Sequence, residues 1–538
     1  MTKKIHNSIL IITFLLMCSV AFPQQWNYTL NRDFLWGIDS YYNNREENKQ
    51  TFVKPFRLQE INLIKDSTAV FPRLLAGTKA EEKDKKAKGQ IEIYPLLLAE
   101  TGYDMSSNAH LTSNLGIGGS LLMFWKDKFA FNFKAMGGNG VFTSSMDSII
   151  RSSGVVPGMG YAYVSKADSL HPQYAYQYFS GYVSYSPNKI FNFQAGRDKH
   201  FWGDGYRSLF LSDVAAPYPY LKITTNVWKL TYVNLFTAMK DASNPSGFKK
   251  DWLNKYATFH YLGWNATKRI NIGLFESIVW QGSDSTRHRG YDVNYLNPIM
   301  FFRPTEYSLG SSDNAFVGLS FKIKIAKKQQ LYGQMLLDEF LLKEVKRDIK
   351  HSLGGADTTW GWWANKQAYQ VGFKSFDLFT IKKLNFQTEV NIARPYTYSH
   401  GSVQQNYGHM NQPLAHPLGA NFIESATFLN YTHKRIFIEG KFIYATYGGD
   451  DSISDYGKNI FISYVNRPHE YGNYIGQGTR TNLITVSLRG AYILDTRMNL
   501  KVELGVADRI EKTYTTSKQM PFVFIGIKTD LCNLYSDY

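Results

Sequence analysis

The 538-residue chain has little of what most membrane or secreted proteins rely on. Beyond its first two dozen residues no stretch approaches the roughly 20 apolar residues that a bilayer-spanning helix needs, and mean hydropathy is −0.31. Spanning helices are therefore excluded. Cysteine occurs only as Cys18 and Cys532, too few for a disulfide scaffold. Charged residues make up only 19%, which argues against disordered, highly charged chains and against helix-rich soluble ones. Signatures of catalysis are missing as well. There is no H-E-x-x-H pair and no G-x-S-x-G elbow, and no helix follows Gly203-Asp204-Gly205 as a nucleotide loop requires. His400, His409 and His416 match no standard metal spacing. No enzyme, cofactor or metal is expected.

Aromatic residues are plentiful: 37 Tyr, 36 Phe and 11 Trp, a mixture suited to strands and to membrane-interface belts. The first residues read as an export leader. Lys3 and Lys4 precede the apolar stretch Ile9 to Met17, and Ser19-Val20-Ala21 offers small residues for cleavage after Ala21. A lipoprotein reading at Cys18 is disfavoured, because Met17 is too large for the position before it. Removing residues 1–21 takes two lysines and no acids, so the formal charge falls from +16 to +14 and Cys532 is left alone. An exported basic chain does not ordinarily meet nucleic acid. Outer-membrane lipids and acidic polysaccharide are the expected counter-charges.

The main signal is alternation. In 383–393, Leu384, Phe386, Thr388, Val390 and Ile392 face away from Lys383, Asn385, Gln387, Glu389 and Asn391. Ile436, Ile438, Gly440, Phe442 and Tyr444 likewise oppose Arg435, Glu439 and Lys441, and Leu500, Val502, Leu504 and Val506 oppose Lys501 and Glu503. A greasy face and a polar face at period two fit strands between lipid and a wet lumen. About 18 such strands run from residue 89 to 529. Their connections alternate between tight turns, such as Pro187-Asn188 and His433-Lys434, and long loops at 138–175, 198–218, 239–253, 280–313, 341–366, 394–422 and 447–479. Loops sorted in this way predict an antiparallel transmembrane β-barrel of the outer-membrane kind, with short turns and both termini periplasmic. Tyr185, Trp228, Trp264 and Trp280 are candidates for its aromatic girdles.

Three units follow: a leader at 1–21, a periplasmic segment or plug at 22–88, and the barrel at 89–538. Within 22–88, Arg57 to Asp66 could form a short helix, and Glu81 to Lys86 is a solvated charge run. Adjacent strand residues point to opposite faces, so Asp338 and Glu339 are expected to pair with lysine or arginine rather than act as a glycosidase's carboxylates.

The densest segment is Gly196-Arg197-Asp198-Lys199-His200-Phe201-Trp202-Gly203-Asp204-Gly205-Tyr206-Arg207-Ser208-Leu209, continuing to Asp213. Its aromatics suit sugar rings and its charges suit hydroxyl or acidic groups. The same residues would equally lock an inward-folded loop to the lumen wall. With this segment, the block from Asn297-Pro298 through Arg303-Pro304 to Asp313-Asn314, the run Gln334 to Phe340, and Asn411 to Asn421 resemble the RemB family of gliding-motility proteins and, more distantly, the Wzi family of capsule-assembly barrels. The resemblance implies a barrel of about 18 strands that anchors surface polysaccharide and works with a motility or capsule-export machinery. It implies no catalytic residues. In the Wzi type a periplasmic helical bundle closes the barrel, and no convincing bundle is visible in this sequence. The expected polysaccharide-contacting residues are Trp202, Asp204, Arg207, Asp213, Arg303 and His400. A porin-like channel for small polar solutes is the rival reading, supported by the polar luminal face.

Overall fold

Period-two patterning becomes a wall in which every second side chain leaves the barrel. The computed structural model describes residue 27 and residues 29–46, 48–57, 89–125, 128–167, 170–242, 252–283, 288–299, 313–339, 341–355, 359–451, 453–495, 498–529 and 532–538. The expected leader and the Glu81 to Lys86 charge run lie outside these residues, as do Arg303 and all but the first residue of the helix expected from Arg57. Eighteen antiparallel strands close on themselves. They are β1 Gly89–Asp104, β2 His110–Trp125, β3 Phe129–Val141, β4 Gln173–Tyr185, β5 Phe191–Asp198 and β6 Tyr218–Val227. Next come β7 Leu230–Asp241, β8 Leu253–Trp264, β9 Ile270–Gln281, β10 Asn314–Ala326, β11 Gln329–Leu337 and β12 Gln367–Ser375. The last six are β13 Leu384–Ala393, β14 Phe422–His433, β15 Ile436–Gly449, β16 Thr479–Asp495, β17 Leu500–Lys512 and β18 Ser517–Lys528. Pairing of β1 with β18, Leu98 opposite Lys528, closes the ring.

Each strand pairs with its sequence neighbour, and short turns gather at one end. Asn385, Gln387, Glu389 and Asn391 are buried inside while Val390 stays 40% exposed, the parity expected from sequence. Apolar residues such as Leu115, Ile117, Val371, Phe442, Leu504 and Val506 form the exposed outer band. Trp125, Phe129, Tyr185, Trp228, Trp264 and Tyr492 ring the short-turn end, with Phe129 and Tyr185 stacked at 4.5 Å. Several strands run past the band towards the long loops, as β2 and β17 do, because ladder hydrogen bonds persist where side chains turn polar.

Trp280 departs from the expected girdle. It points outward but is fully buried, because residues 288–299 between β9 and β10 fold down the outside of the wall. Tyr295 and Tyr291 pack on it at 4.8 and 5.0 Å, and its indole donates to Gly290 O at 3.2 Å. Arg289, paired with Asp292 at 2.7 Å and Asp313 at 2.8 Å, ties this strap to the rim. Beneath it, outward-facing Thr258 and His260 are also buried.

The lumen is not uniformly wet. Helix α1, Arg32–Asn44, lies across the short-turn end. Asn31 caps it by accepting Asp33 N at 2.8 Å. At one end Arg32 pairs with Glu439 at 3.3 Å and Asp33 takes Lys501 at 2.8 Å. At the other, Asp39 takes Lys374 at 2.6 Å, and Asn43 donates to Lys327 O in the β10–β11 turn at 2.8 Å. Phe34, Ile38 and Tyr42 feed the main buried cluster with Phe52 and Phe56 of the extended stretch that follows. Among the described residues, one helix and that stretch occupy the mouth where the resemblance implied a bundle. Two more helices, α2 Ser144–Ser153 and α3 Leu342–Ser352, decorate long loops.

Candidate functional site

The β5–β6 loop turns inward, and its polar residues find partners on three separate parts of the chain. Trp202 is fully buried against Phe259, Tyr261 and Phe275 of the wall, with ring centres 6.0 to 6.1 Å away. Asp204 accepts from Thr51 Oγ1 at 2.6 Å. Burial alone would raise its pKa, but the neighbouring Lys322 and Lys54 hold the carboxyl below its ordinary value. Lys54 donates to Gly203 O, and burial pushes it down to about 8. Arg207 reaches Glu424 and Asp537, each at 3.0 Å. The backbone N–H groups of Tyr206 and Arg207 donate to the Glu389 carboxylate at 2.7 and 2.9 Å. A side chain at Gly205 would lie 2.6 Å from that carboxylate, so only glycine lets the loop approach so closely. Asp213 accepts from Tyr535 Oη at 2.7 Å and Asn533 Nδ2 at 2.9 Å. Each of these polar groups is hydrogen-bonded inside the protein, which is how buried polar groups are tolerated.

A second long loop, 394–421, lies over this one. Tyr398 and Tyr407 donate to Leu209 O and Phe210 O at 2.8 and 2.6 Å. His416 bonds Glu424 at 2.7 Å. Lys366 pairs with Asp338 at 3.7 Å and Glu339 at 3.3 Å, the lysine pairing expected for that carboxylate pair.

The surface that faces outward at this end is aromatic and half open. Trp363 packs on Tyr464 at 4.6 Å, the Arg467 guanidinium covers Trp363 at 4.0 Å, and Lys366 sits 4.4 Å from Tyr464. His400 meets Tyr464 edge-on at 5.9 Å and is only 8% exposed. Burial, then the charge of Lys366, lowers its pKa to about 4, so its ring is neutral at pH 7. Trp360 stacks on His351 at 4.3 Å, while Tyr471 and Tyr474 are 40% and 56% exposed. Gly361 makes the run possible. It sits at φ 67° with Asn473 backbone 2.6 Å from any added Cβ, and Asp348 accepts its N–H at 2.6 Å. Half-exposed aromatic faces beside fixed cations are the chemistry that stacks a sugar ring and orients its hydroxyl or carboxyl groups. Sequence reasoning passed over Trp360-Gly361-Trp362-Trp363, although three tryptophans in four residues of a long loop were a usable signal.

Four of the six expected residues, Trp202, Asp204, Arg207 and Asp213, therefore come together inside the lumen. His400 lies above them near the rim, and Arg303 is outside the described residues. Of the two roles open to the β5–β6 segment, the geometry displays the locking one. Beside α1, a cavity of about 380 Å³ runs between β1–β3 and β15–β18, lined by Glu100, Asn114, Ser487, Arg489, Glu503 and Arg509 among others. Among the described residues no cluster of metal-ligating side chains is found.

No protein-family model matches the chain, and no curated protein sequence does. Among solved structures the chain is similar to Wzi of Escherichia coli, described as an outer-membrane protein of group 1 capsule assembly and a carbohydrate-binding β-barrel. Identity is 11%, the match covers 94% of this chain and 100% of that one, and the TM-score is 0.55. OprD of Pseudomonas aeruginosa matches at 10% identity over 82% of this chain and 96% of its own, with a TM-score of 0.41. OpdK of the same organism matches at 9% over 81% and 98%, with a TM-score of 0.42. The likeness to Wzi is one of fold: the chain has the architecture of an outer-membrane β-barrel.

Proposed function

We propose that this protein is a non-enzymatic outer-membrane barrel that binds and anchors surface polysaccharide, with its short turns and both termini in the periplasm, in support of gliding motility or capsule assembly. The observation that carries the reading is the rim. Trp360, Trp362, Tyr471 and Tyr474 leave aromatic surface open beside Arg467, with Trp363 and Tyr464 packed behind them, above a lumen that α1 and two inward loops largely fill. A barrel used for holding a chain needs a firm floor and an aromatic rim, and it needs no wide pore. The carbohydrate binding attributed to Wzi, over a match spanning 94% of this chain, supports the same reading. In this scheme His400 backs the glycan-contacting surface, while Trp202, Asp204, Arg207 and Asp213 hold the loop beneath it in place. Arg303 remains a proposed contact.

The test is retention of extracted surface polysaccharide by the purified barrel in detergent, native against a Trp360→Ala/Trp363→Ala double variant. Equal retention by both, at equal folded fraction, removes the rim from the reading. A porin-like channel is the second reading, favoured by the 380 Å³ cavity beside α1. Steady open-channel current in planar bilayers would support it, and silence would leave the anchor.

A further inference from the structure

Helix α3 presents the wrong face outward for a helix in water. Its inner side carries charge: Glu344 takes Arg347 at 2.8 Å, Asp348 takes Arg394 at 3.1 Å, and His351 stacks on Trp360. Its outer side carries Leu342 and Ile349, 61% and 54% exposed, with Leu353 just beyond at 83%. At about 100° per residue, these three share one arc. Lys346, Lys350 and Lys343, all exposed, form the arc beside it. The helix's own carboxylates are occupied by Arg347 and Arg394, so they do not neutralise those lysines.

An apolar arc flanked by lysines is the pattern of a helix lying in a lipid headgroup boundary. The position agrees. Leu337, the last outward position of β11, precedes Leu342 by five residues, which keeps the helix within roughly 18 Å of the apolar band. On neighbouring β12, outward Tyr369 and Val371 are 38% and 53% exposed. We infer that α3 docks on the anionic lipid surface surrounding the barrel's long-loop rim, its leucines and isoleucine among the upper acyl chains and its three lysines on headgroup phosphates. An acidic glycan would satisfy the lysines but leave Leu342, Ile349 and Leu353 without an apolar partner. The inference is independent of the polysaccharide reading.

The test uses the full-length barrel with Cys532→Ser and Ile349→Cys, labelled with bimane and reconstituted into phosphatidylcholine vesicles with or without roughly 30% phosphatidylglycerol. Each lysine at an anionic surface is worth roughly a five-fold preference. Phosphatidylglycerol is therefore expected to cut iodide quenching about three-fold, while brominated acyl chains quench the label. Lys343→Gln/Lys346→Gln/Lys350→Gln in the same protein should restore iodide access. Iodide access equal in both vesicle types overturns the inference. So does a label protected only by added soluble acidic polysaccharide over neutral vesicles. Polysaccharide retention, measured on the same preparations, reports separately on the rim.

Discussion

Arg207 and Asp537 meet at 3.0 Å across 330 positions of sequence, and both are about 1% exposed. The inward loop between β5 and β6 is thereby joined to the end of the chain, with Glu424 of the wall as third partner. Arg207→Ala would leave buried Asp537 with Lys441 alone, at 2.7 Å, and buried Glu424 with only His416 as an ionisable partner, and should cost roughly 3–5 kcal/mol. Arg207→Lys should cost less but not nothing, since a lysine cannot serve both acids in the same fork. Urea unfolding in detergent, followed by the mobility shift of folded barrels, checks both. An Arg207→Ala barrel as resistant as the native one would refute the lock.

Trp202 and Trp363 separate floor from rim. Trp202→Ala empties a fully buried site and should lower stability by about 3–5 kcal/mol, with polysaccharide retention per folded barrel unchanged. Trp363→Ala should act mainly on binding: retention falls roughly five- to ten-fold, the size of one lost aromatic contact, with a smaller shift of the unfolding midpoint than Trp202→Ala, since the ring also packs on Tyr464 and Arg467. Reversed outcomes would move the binding surface into the lumen.

The 450–478 loop should respond to pH. Burial, and then the charge of Asp450, raises the pKa of Asp455 to about 7. A carboxyl raised in the folded state favours the protonated form. The stability it lends is therefore complete below the unfolded value near 4, declines from there as pH rises, and is gone above about 7. Limited proteolysis should cut this loop faster at pH 8 than at pH 5, and Asp455→Asn should flatten the difference. A native loop equally resistant at both pH values would count against it.

Asp313 pins two loops on opposite sides of the wall. It accepts Arg289 Nη1 at 2.8 Å and Tyr295 Oη at 2.7 Å from the outer strap, and Gln405 Nε2 at 3.1 Å from the inner loop. Asp313→Ala should destabilise by about 1–3 kcal/mol and expose both segments to protease while the barrel stays closed. Cleavage confined to one of them would show that the coupling is absent.

The wall was legible because it is a local matter. A strand's faces follow from alternation, as at Leu384 to Ala393, and a tight turn such as His433-Lys434 forces its strands to pair. α1 was missed because only Asn31, Asp33 and a few aromatics mark it, and its acids find their partners on β12, β16 and β17 far along the chain. Trp280 was misplaced for a related reason. Its parity, outward, was correct, but nothing near it in sequence announces that Tyr291 and Tyr295 will fold back over it.

Taken alone, the sequence determined a closed all-β wall of about 18 strands, its parity and its sorted loops, because period-two patterning and turn length act between neighbours. Tertiary structure alone decided what fills and covers that wall. Whether the loop bearing Trp202 and Arg207 reaches outward or sinks inward depends on Glu389, Glu424 and Asp537, partners hundreds of residues away. Burying so many charges is tolerable only where those partners converge, and no local pattern encodes that convergence.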